Sequence, residues 1–140
     1  MTAQFSEKLR YDGIEMPLYS LPLKSSPQFQ EFAPKIECTS TALWRGYIGE
    51  WEIVGYDLYL IGIKGVTTEG KSIRLSDIFP NCGDRVLADW YTGKLRVPIG
   101  ECIDYVHVDF LSVFEEDLFI DIKNGVVENS FTVSNIAKKE

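Results

Sequence analysis

The sequence is poor in the residues that most often mark a metal site or a disulfide framework. Its 140 residues hold one histidine and three cysteines, Cys38, Cys82 and Cys102, without any C-x-x-C pair. An odd cysteine count in this pattern predicts free thiols and disfavours both a disulfide framework and a zinc site. The sequence predicts no metal, and no motif in it calls for a cofactor.

Long apolar runs and clustered cations are also missing. The longest strongly apolar run, residues 58–63, is far shorter than the roughly 20 residues of a membrane-spanning helix. The first twenty residues hold no apolar segment behind a basic start, so no secretory signal is expected and a cytoplasmic location is predicted. Fourteen Lys and Arg against 21 Asp and Glu give a net charge of −7, which disfavours a surface for nucleic acid or anionic membranes.

The residues that are present predict a folded β protein. Apolar residues make up 45% and aromatic residues 13% of the chain, enough to bury one core, and the length fits a single domain over residues 1–140. After Thr41 the apolar positions alternate with period two, which is typical of strands. We expect an all-β fold, an antiparallel β-sandwich or a partly open β-barrel, with strands at 43–54, 56–66, 72–75, 85–91, 95–99, 102–110, 117–123 and 126–133.

The chain divides into three parts by composition. Residues 8–19 predict a hairpin around Asp12-Gly13, and residues 20–41 form a proline-rich connector. Within the connector, Ser26 and Pro27 predict the start of a short helix that ends at Phe32 and buries Phe29 and Phe32. Residues 42–134 are the expected antiparallel core, with tight turns at 92–93 and 124–125 and one helical turn before Pro80.

The net charge is concentrated in one segment. Residues 97–122 contain seven acidic residues and no Lys or Arg, so the rest of the chain is neutral. Alternation predicts that Cys102, Val106, Val108, Phe110, Leu118, Ile120 and Ile122 face the core, while Asp104 falls on the same side and marks a strand edge, a bulge or a buried arginine partner. The other side, with the turn, forms what we call the acidic face: Glu101, Tyr105, His107, Asp109, Glu115, Glu116, Asp117, Phe119 and Asp121.

We interpret the acidic face as a docking surface for a basic protein partner, because concentrated charge steers association. A solvated sheet face, or a divalent-cation or catalytic site, would use the same residues. The chain is predicted to be a non-enzymatic interaction module, monomeric or a homodimer, since no catalytic motif is found.

An alternative function rests on aromatic residues placed close to arginines. A small-molecule binding protein or an enzyme could line a pocket with Trp44, Arg45, Asp89, Trp90 and Arg96. The same residues are also compatible with a plain core, in which Trp44 and Trp90 are buried and Arg45 or Arg96 pairs with Asp89 or Asp104. The sequence leaves these alternatives open.

Several strings together resemble a known family. They are T-A-L-W-R-G-Y at 41–47, D-I-F-P at 77–80, A-D-W-Y-T-G-K-L-R-V-P at 88–98, Y-V-H at 105–107 and S-V-F-E at 112–115. In these strings the chain resembles a family of small uncharacterised bacterial proteins over most of residues 8–125. The resemblance implies a bacterial cytosolic protein and carries no activity or catalytic residue.

Overall fold

The computed structural model describes residues 4–38, 40–106 and 110–136, and these are mostly strand, which confirms the all-β prediction. One sheet, not closed into a barrel, contains eight strands in the described residues. They are β1 (Glu7–Tyr11), β2 (Ile14–Leu18), β3 (Tyr47–Val54), β4 (Asp57–Gly65), β5 (Val86–Leu87), β6 (Gly93–Asp104), β7 (Val113–Lys123) and β8 (Val126–Ser134).

The strands follow the order β2-β1-β3-β4-β8-β7-β6, with the short β5 paired to β4. β1 and β3 run parallel, whereas the other pairings of these strands are antiparallel. The sheet curls, because the residue after β2 reaches the last strand of the order: the Tyr19 N–H donates to the Arg96 carbonyl at 2.8 Å. This curl brings the N-terminal hairpin next to β6.

Local signals in the sequence predict several elements correctly. Asp12 and Gly13 both have positive φ in the turn between β1 and β2, and Asn124 and Gly125 do so between β7 and β8. Helix α1 (Pro27–Phe32) begins where the Phe29 N–H donates to the Ser26 hydroxyl, at 3.3 Å. Its Phe29 and Phe32 are buried as expected, and α2 (Leu75–Ile78) is the single turn before Pro80.

Six of the predicted strands have wrong boundaries, among them the strand expected at 117–123, which begins at Val113. The strand expected at 43–54 begins only at Tyr47, because the chain turns through Gly46 at φ +83°. The strand expected at 72–75 is reduced to an isolated bridge at Ser72 before α2 begins, and that at 85–91 keeps only the two residues of β5. The strands expected at 95–99 and 102–110 are one strand, β6, with register irregularities at 99–102 and 102–104.

The core lies against this sheet, and the buried Phe29 and Phe32 of α1 belong to it. Strand β3 shows the alternation most clearly, since Tyr47, Gly49, Trp51 and Ile53 are all buried. Trp51 is the largest side chain in the buried set and is 1% exposed. Buried leucines from β1, β2, β4 and β6 complete the layer around it: Leu9, Leu18, Leu58, Leu60 and Leu95.

Candidate functional site

A buried ion pair occupies the point where β1 meets the start of β3. The Glu7 side chain is completely buried, and the Arg45 side chain is 7% exposed. Arg45 Nη2 donates to Glu7 Oε2 at 2.9 Å, and the Gly49 N–H donates to the same oxygen at 2.6 Å. The Trp51 indole N–H donates to the other carboxylate oxygen at 3.2 Å. Both oxygens of the carboxylate therefore accept hydrogen bonds inside the core.

The chain before β3 is folded so that Arg45 points inward. The Phe5 N–H donates to the Ala42 carbonyl at 2.8 Å, which ties the N-terminal segment to this loop. Gln4 holds the same loop with its amide, which accepts from the Trp44 N–H at 2.8 Å and donates to the Thr41 carbonyl at 2.7 Å. A Cβ at Gly46 would lie 2.7 Å from the Glu37 carbonyl oxygen, so the turn that places Arg45 requires glycine.

Three polar atoms around this ion pair are buried and have no hydrogen-bond partner among the described residues. They are Arg45 Nε, Arg45 Nη1 and the Tyr47 hydroxyl. Nε carries one hydrogen and Nη1 two, so three of the five N–H bonds of the guanidinium are unused. The Arg45 guanidinium carbon lies 5.4 Å from the centre of the Tyr47 ring, which places the three atoms in one region.

Burial changes the acid–base behaviour of both neighbours of Arg45. It raises the pKa of Tyr47, with a further contribution from the Glu7 carboxylate, so the hydroxyl stays protonated at neutral pH. Burial also raises the pKa of Glu7, while the charge of Arg45 and the hydrogen bonds from Gly49, Arg45 and Trp51 oppose that rise. Arg45 is thus the main group that favours the ionised form of Glu7.

Arg45 is one of six residues that line a cleft of about 240 Å³, which we call the Arg45 cleft. Its wall on one side is Phe110, whose ring centre is 5.7 Å from the guanidinium carbon of Arg45. Trp44 stands at the rim with 72% of its surface exposed. The lining residues are Gln4, Leu21, Lys24, Trp44, Arg45 and Phe110.

The Phe110 wall is held by Arg96 on β6. Arg96 donates to the Asp117 carboxylate at 2.9 Å, to the Phe110 carbonyl at 2.6 Å and to the Ser112 carbonyl at 2.8 Å. The Phe110 ring stacks on Tyr19, with 5.0 Å between ring centres. One arginine therefore fixes the backbone on both sides of Leu111 and positions the ring beside the cleft.

The structure brings together only two of the five residues predicted for the alternative pocket. Trp44 and Arg45 line the cleft, whereas Arg96 supports its wall from behind. Trp90 lies elsewhere, stacked on Phe79 at 5.4 Å with its indole N–H on the Pro22 carbonyl, and Asp89 is exposed. The ion pairs expected with Asp89 or Asp104 are wrong, because Arg45 pairs with Glu7 and Arg96 with Asp117. Burial of Trp44 is wrong as well.

The acidic face is partly neutralised in the structure. Asp117 was expected to point outward, but it is 7% exposed and paired with Arg96, because β7 pairs with the basic first half of β6. Asp121 pairs with Lys94 at 2.9 Å, and the Glu115 carboxylate accepts from the Glu101 N–H at 2.7 Å. Phe119 is half-buried against Phe131, and Glu116 is half-buried. His107 and Asp109 lie outside the described residues.

The core assignments in this hairpin are also partly wrong. Ile120 and Ile122 are buried, but Leu118, Val106 and Phe110 are only half-buried, and Val108 lies outside the described residues. Cys102 is exposed, since the register irregularities on either side of it interrupt the alternation. Asp104 is exposed beside the second irregularity, at the end of β6, so of the three alternatives left open for it the buried arginine partner is wrong.

The sequence does not identify five residues of the site, the cleft residues Gln4, Leu21, Lys24 and Phe110 and the ion-pair residue Glu7. A signal existed for Glu7, because period two places it on the same face as Leu9, so its carboxylate lies on an apolar face. Such a carboxylate requires a buried partner. The partner is 38 residues away in sequence, and no local pattern identifies it.

A larger cleft of about 490 Å³ lies between the loop at 67–74 and α1. Its three cations are solvated: Lys35 is exposed, and the Lys71 and Arg74 side chains are 79% and 77% exposed. Lys71 and Arg74 also have a carboxylate nearby, Glu69 at 4.0 Å and Asp77 at 3.4 Å. Exposed pairs of this kind hold a ligand weakly, so the Arg45 cleft is the stronger candidate.

Comparisons with known proteins give no match: no family model fits the chain, and neither curated proteins nor solved structures match it. Within 4–38, 40–106 and 110–136, no helix has the length and apolar character needed to cross a bilayer. The same ranges contain no group of three or more His, Cys, Asp or Glu side chains that could hold a metal ion.

Proposed function

We propose that this protein binds a small anionic ligand in the Arg45 cleft. The observation that carries the proposal is a buried guanidinium with three N–H bonds that have no partner in the described part of the chain. A buried donor without an acceptor costs about 1–3 kcal/mol. A ligand that supplies anionic oxygens and displaces the side chains covering those donors would satisfy them. Such a ligand would be favoured over a neutral one because hydrogen bonds to charged groups are stronger.

The local charge also favours an anion. Glu7 balances one of the two cations of the site, so Lys24 at the cleft leaves an excess of one positive charge. This excess lies on a protein whose net charge is −7, so the cleft is an electropositive point on an acidic molecule. Clefts of one sign concentrate ligands of the opposite sign.

The charge of Lys24 provides the test. In a Lys24→Glu variant, affinity for acetate, benzoate and inorganic phosphate should fall about tenfold, because two units of charge change beside the anion. Lys71→Glu is the matched control, since that side chain is 79% exposed and lies outside the cleft. Affinities are measured by isothermal titration calorimetry on the full chain. The proposal fails if none of the three anions binds, or if both variants bind them as the wild type does.

A second candidate function is docking of a basic partner on what remains of the acidic face. Glu101 and Asp104 are exposed, and the neighbouring Tyr105 is 57% exposed, which supports an accessible anionic surface there. Asp117 and Glu115 do not belong to its test, because both are hydrogen-bonded within the hairpin.

This surface is tested by charge reversal limited to three residues: Glu101→Lys, Asp104→Lys and Glu116→Lys. A lysine-rich peptide serves as the probe, and its binding is followed by fluorescence anisotropy at low and high salt. Docking is supported if the triple variant binds the peptide at least tenfold more weakly than the wild type, and if high salt weakens binding to the wild type. Equal binding by both proteins would remove the acidic face as the docking surface.

A further inference from the structure

We infer that the ligand of the Arg45 cleft is a small monocyclic aromatic carboxylate, with its carboxylate on Arg45 and its ring against Trp44 and Phe110. This inference rests on the proposed function and adds the chemical class of the ligand. It follows from three properties of the cleft: the number of donors, the size, and the exposed indole.

The number of available donors favours a carboxylate over a phosphate. Gln4 uses its amide oxygen and nitrogen on the loop that carries Trp44, at 2.8 and 2.7 Å. Leu21, Trp44 and Phe110 offer apolar side-chain surface, so Arg45 and Lys24 are the charged donors of the lining. A planar guanidinium matches the two oxygens of a carboxylate, whereas a phosphate presents three or more oxygens and typically takes several donors.

The size of the cleft favours small ligands. Its volume of about 240 Å³ lies below the roughly 300–1,000 Å³ of pockets that hold drug-sized ligands. A single six-membered ring with one carboxylate fits this space better than a nucleotide or a fused polycyclic acid.

The exposed Trp44 indole favours a planar apolar ligand. Its backbone N–H is bonded to Gln4, and the turn behind it is fixed by Gly46, so the indole is presented from a constrained loop. Phe110 is stacked on Tyr19 and held by Arg96 through its carbonyl. Two aromatic groups from separate, anchored segments thus line one small cleft next to a guanidinium. A ligand ring in contact with them gains roughly threefold to tenfold in affinity beyond its area burial.

The experiment compares four probes on the full chain: benzoate, acetate, inorganic phosphate and benzamide. Affinity is measured by calorimetry, and tryptophan emission reports contact with the exposed indole. We expect benzoate to bind at least tenfold more tightly than acetate or phosphate and to change the emission, and we expect benzamide, which lacks the charge, not to bind. Trp44→Leu should lower benzoate affinity about tenfold and acetate affinity by a clearly smaller factor, and Trp44→Phe, which keeps a ring, should restore most of the benzoate loss.

The outcomes separate this inference from the function on which it rests. If acetate or phosphate binds as tightly as benzoate, or if Trp44→Leu leaves benzoate affinity unchanged, the aromatic class is wrong while anion binding stands. If benzamide binds as well as benzoate, the ligand is aromatic but not an anion, and both proposals fail. If no probe binds, both fail as well.

Discussion

An Arg45→Met variant is expected to lose about 3–5 kcal/mol of unfolding free energy at neutral pH. The reason is the location of its partner: Glu7 is completely buried, and Arg45 provides the cation that balances it at 2.9 Å. Methionine fills similar space but leaves an ionised carboxylate inside the core with only the Gly49 and Trp51 donors. Removing one member of a buried ion pair lowers the free energy of unfolding far more than removing both, because it leaves an uncompensated buried charge.

The loss of unfolding free energy in Arg45→Met should increase as the pH rises. Burial raises the pKa of Glu7 and Arg45 lowers it, so the variant has a higher Glu7 pKa in the folded state than the wild type. When the pKa of a carboxyl group is higher in the folded state than in the unfolded state, its contribution to the free energy of unfolding is fully present below the unfolded pKa of 4.5. That contribution is lost as the pH rises through the folded-state pKa. The stability difference between wild type and variant should therefore be larger at about pH 8 than at about pH 4.5.

Urea unfolding at both pH values measures this difference. Arg10→Met is the matched control, since Arg10 is exposed and its loss should change stability by less than about 0.5 kcal/mol. The double variant Glu7→Gln/Arg45→Met should lose less than the sum of the two single variants, because the uncompensated charge is gone. An Arg45→Met loss below about 1 kcal/mol, or one that is equal at both pH values, would contradict the role given to this pair.

An Arg96→Met variant is expected to lose about 2–3 kcal/mol of unfolding free energy. The figure is below that for a fully buried pair because the Arg96 side chain is 21% exposed. Methionine removes three hydrogen bonds at once, to Asp117, Phe110 and Ser112. Arg96→Lys should recover only part of the loss, since a single ammonium group cannot reproduce the planar set of donors.

The same variant should weaken ligand binding at a site that Arg96 does not line. Without the Arg96 guanidinium, the Phe110 carbonyl loses its hydrogen bond, and Phe110 forms a wall of the cleft. We expect benzoate affinity to fall at least tenfold in Arg96→Met and by less than about twofold in Lys94→Met, whose side chain makes a half-exposed pair with Asp121. Unchanged affinity in a folded Arg96→Met protein would show that the wall does not depend on this arginine.

Local sequence signals predicted the elements whose cause is local. Asp12-Gly13 and Asn124-Gly125 adopt the positive φ values that the hairpin turns require, and Ser26 caps α1 as its side chain allows. Alternation alone predicts the buried face poorly where the strand pairing is irregular. Cys102 was assigned to the core and is exposed, because irregular pairing on both sides of it shifts the faces of β6.

The candidate site depends on long-range pairing, which explains why it was only half predicted. Trp44 and Arg45 were recognised from one short string, but the site also needs Glu7 from β1 and Phe110 from the far end of the chain. Asp117 was counted as surface charge because no nearby cation precedes it, yet β6 supplies Arg96 from 21 residues away. Counting charges along the sequence therefore overestimates the surface charge wherever an acidic strand pairs with a basic one.

Side-chain NMR tests most directly whether the guanidinium of Arg45 receives a small anion, as we propose. The Nε–H signals of Arg45 and Arg96 are followed while benzoate is added to the full-length wild type. Arg45 Nε has no partner among the described residues, whereas Arg96 Nε already donates to Asp117. We predict a saturable shift of the Arg45 signal with little change at Arg96. An Arg45 signal that does not move when benzoate is in excess, or that moves in parallel with Arg96, would contradict the account.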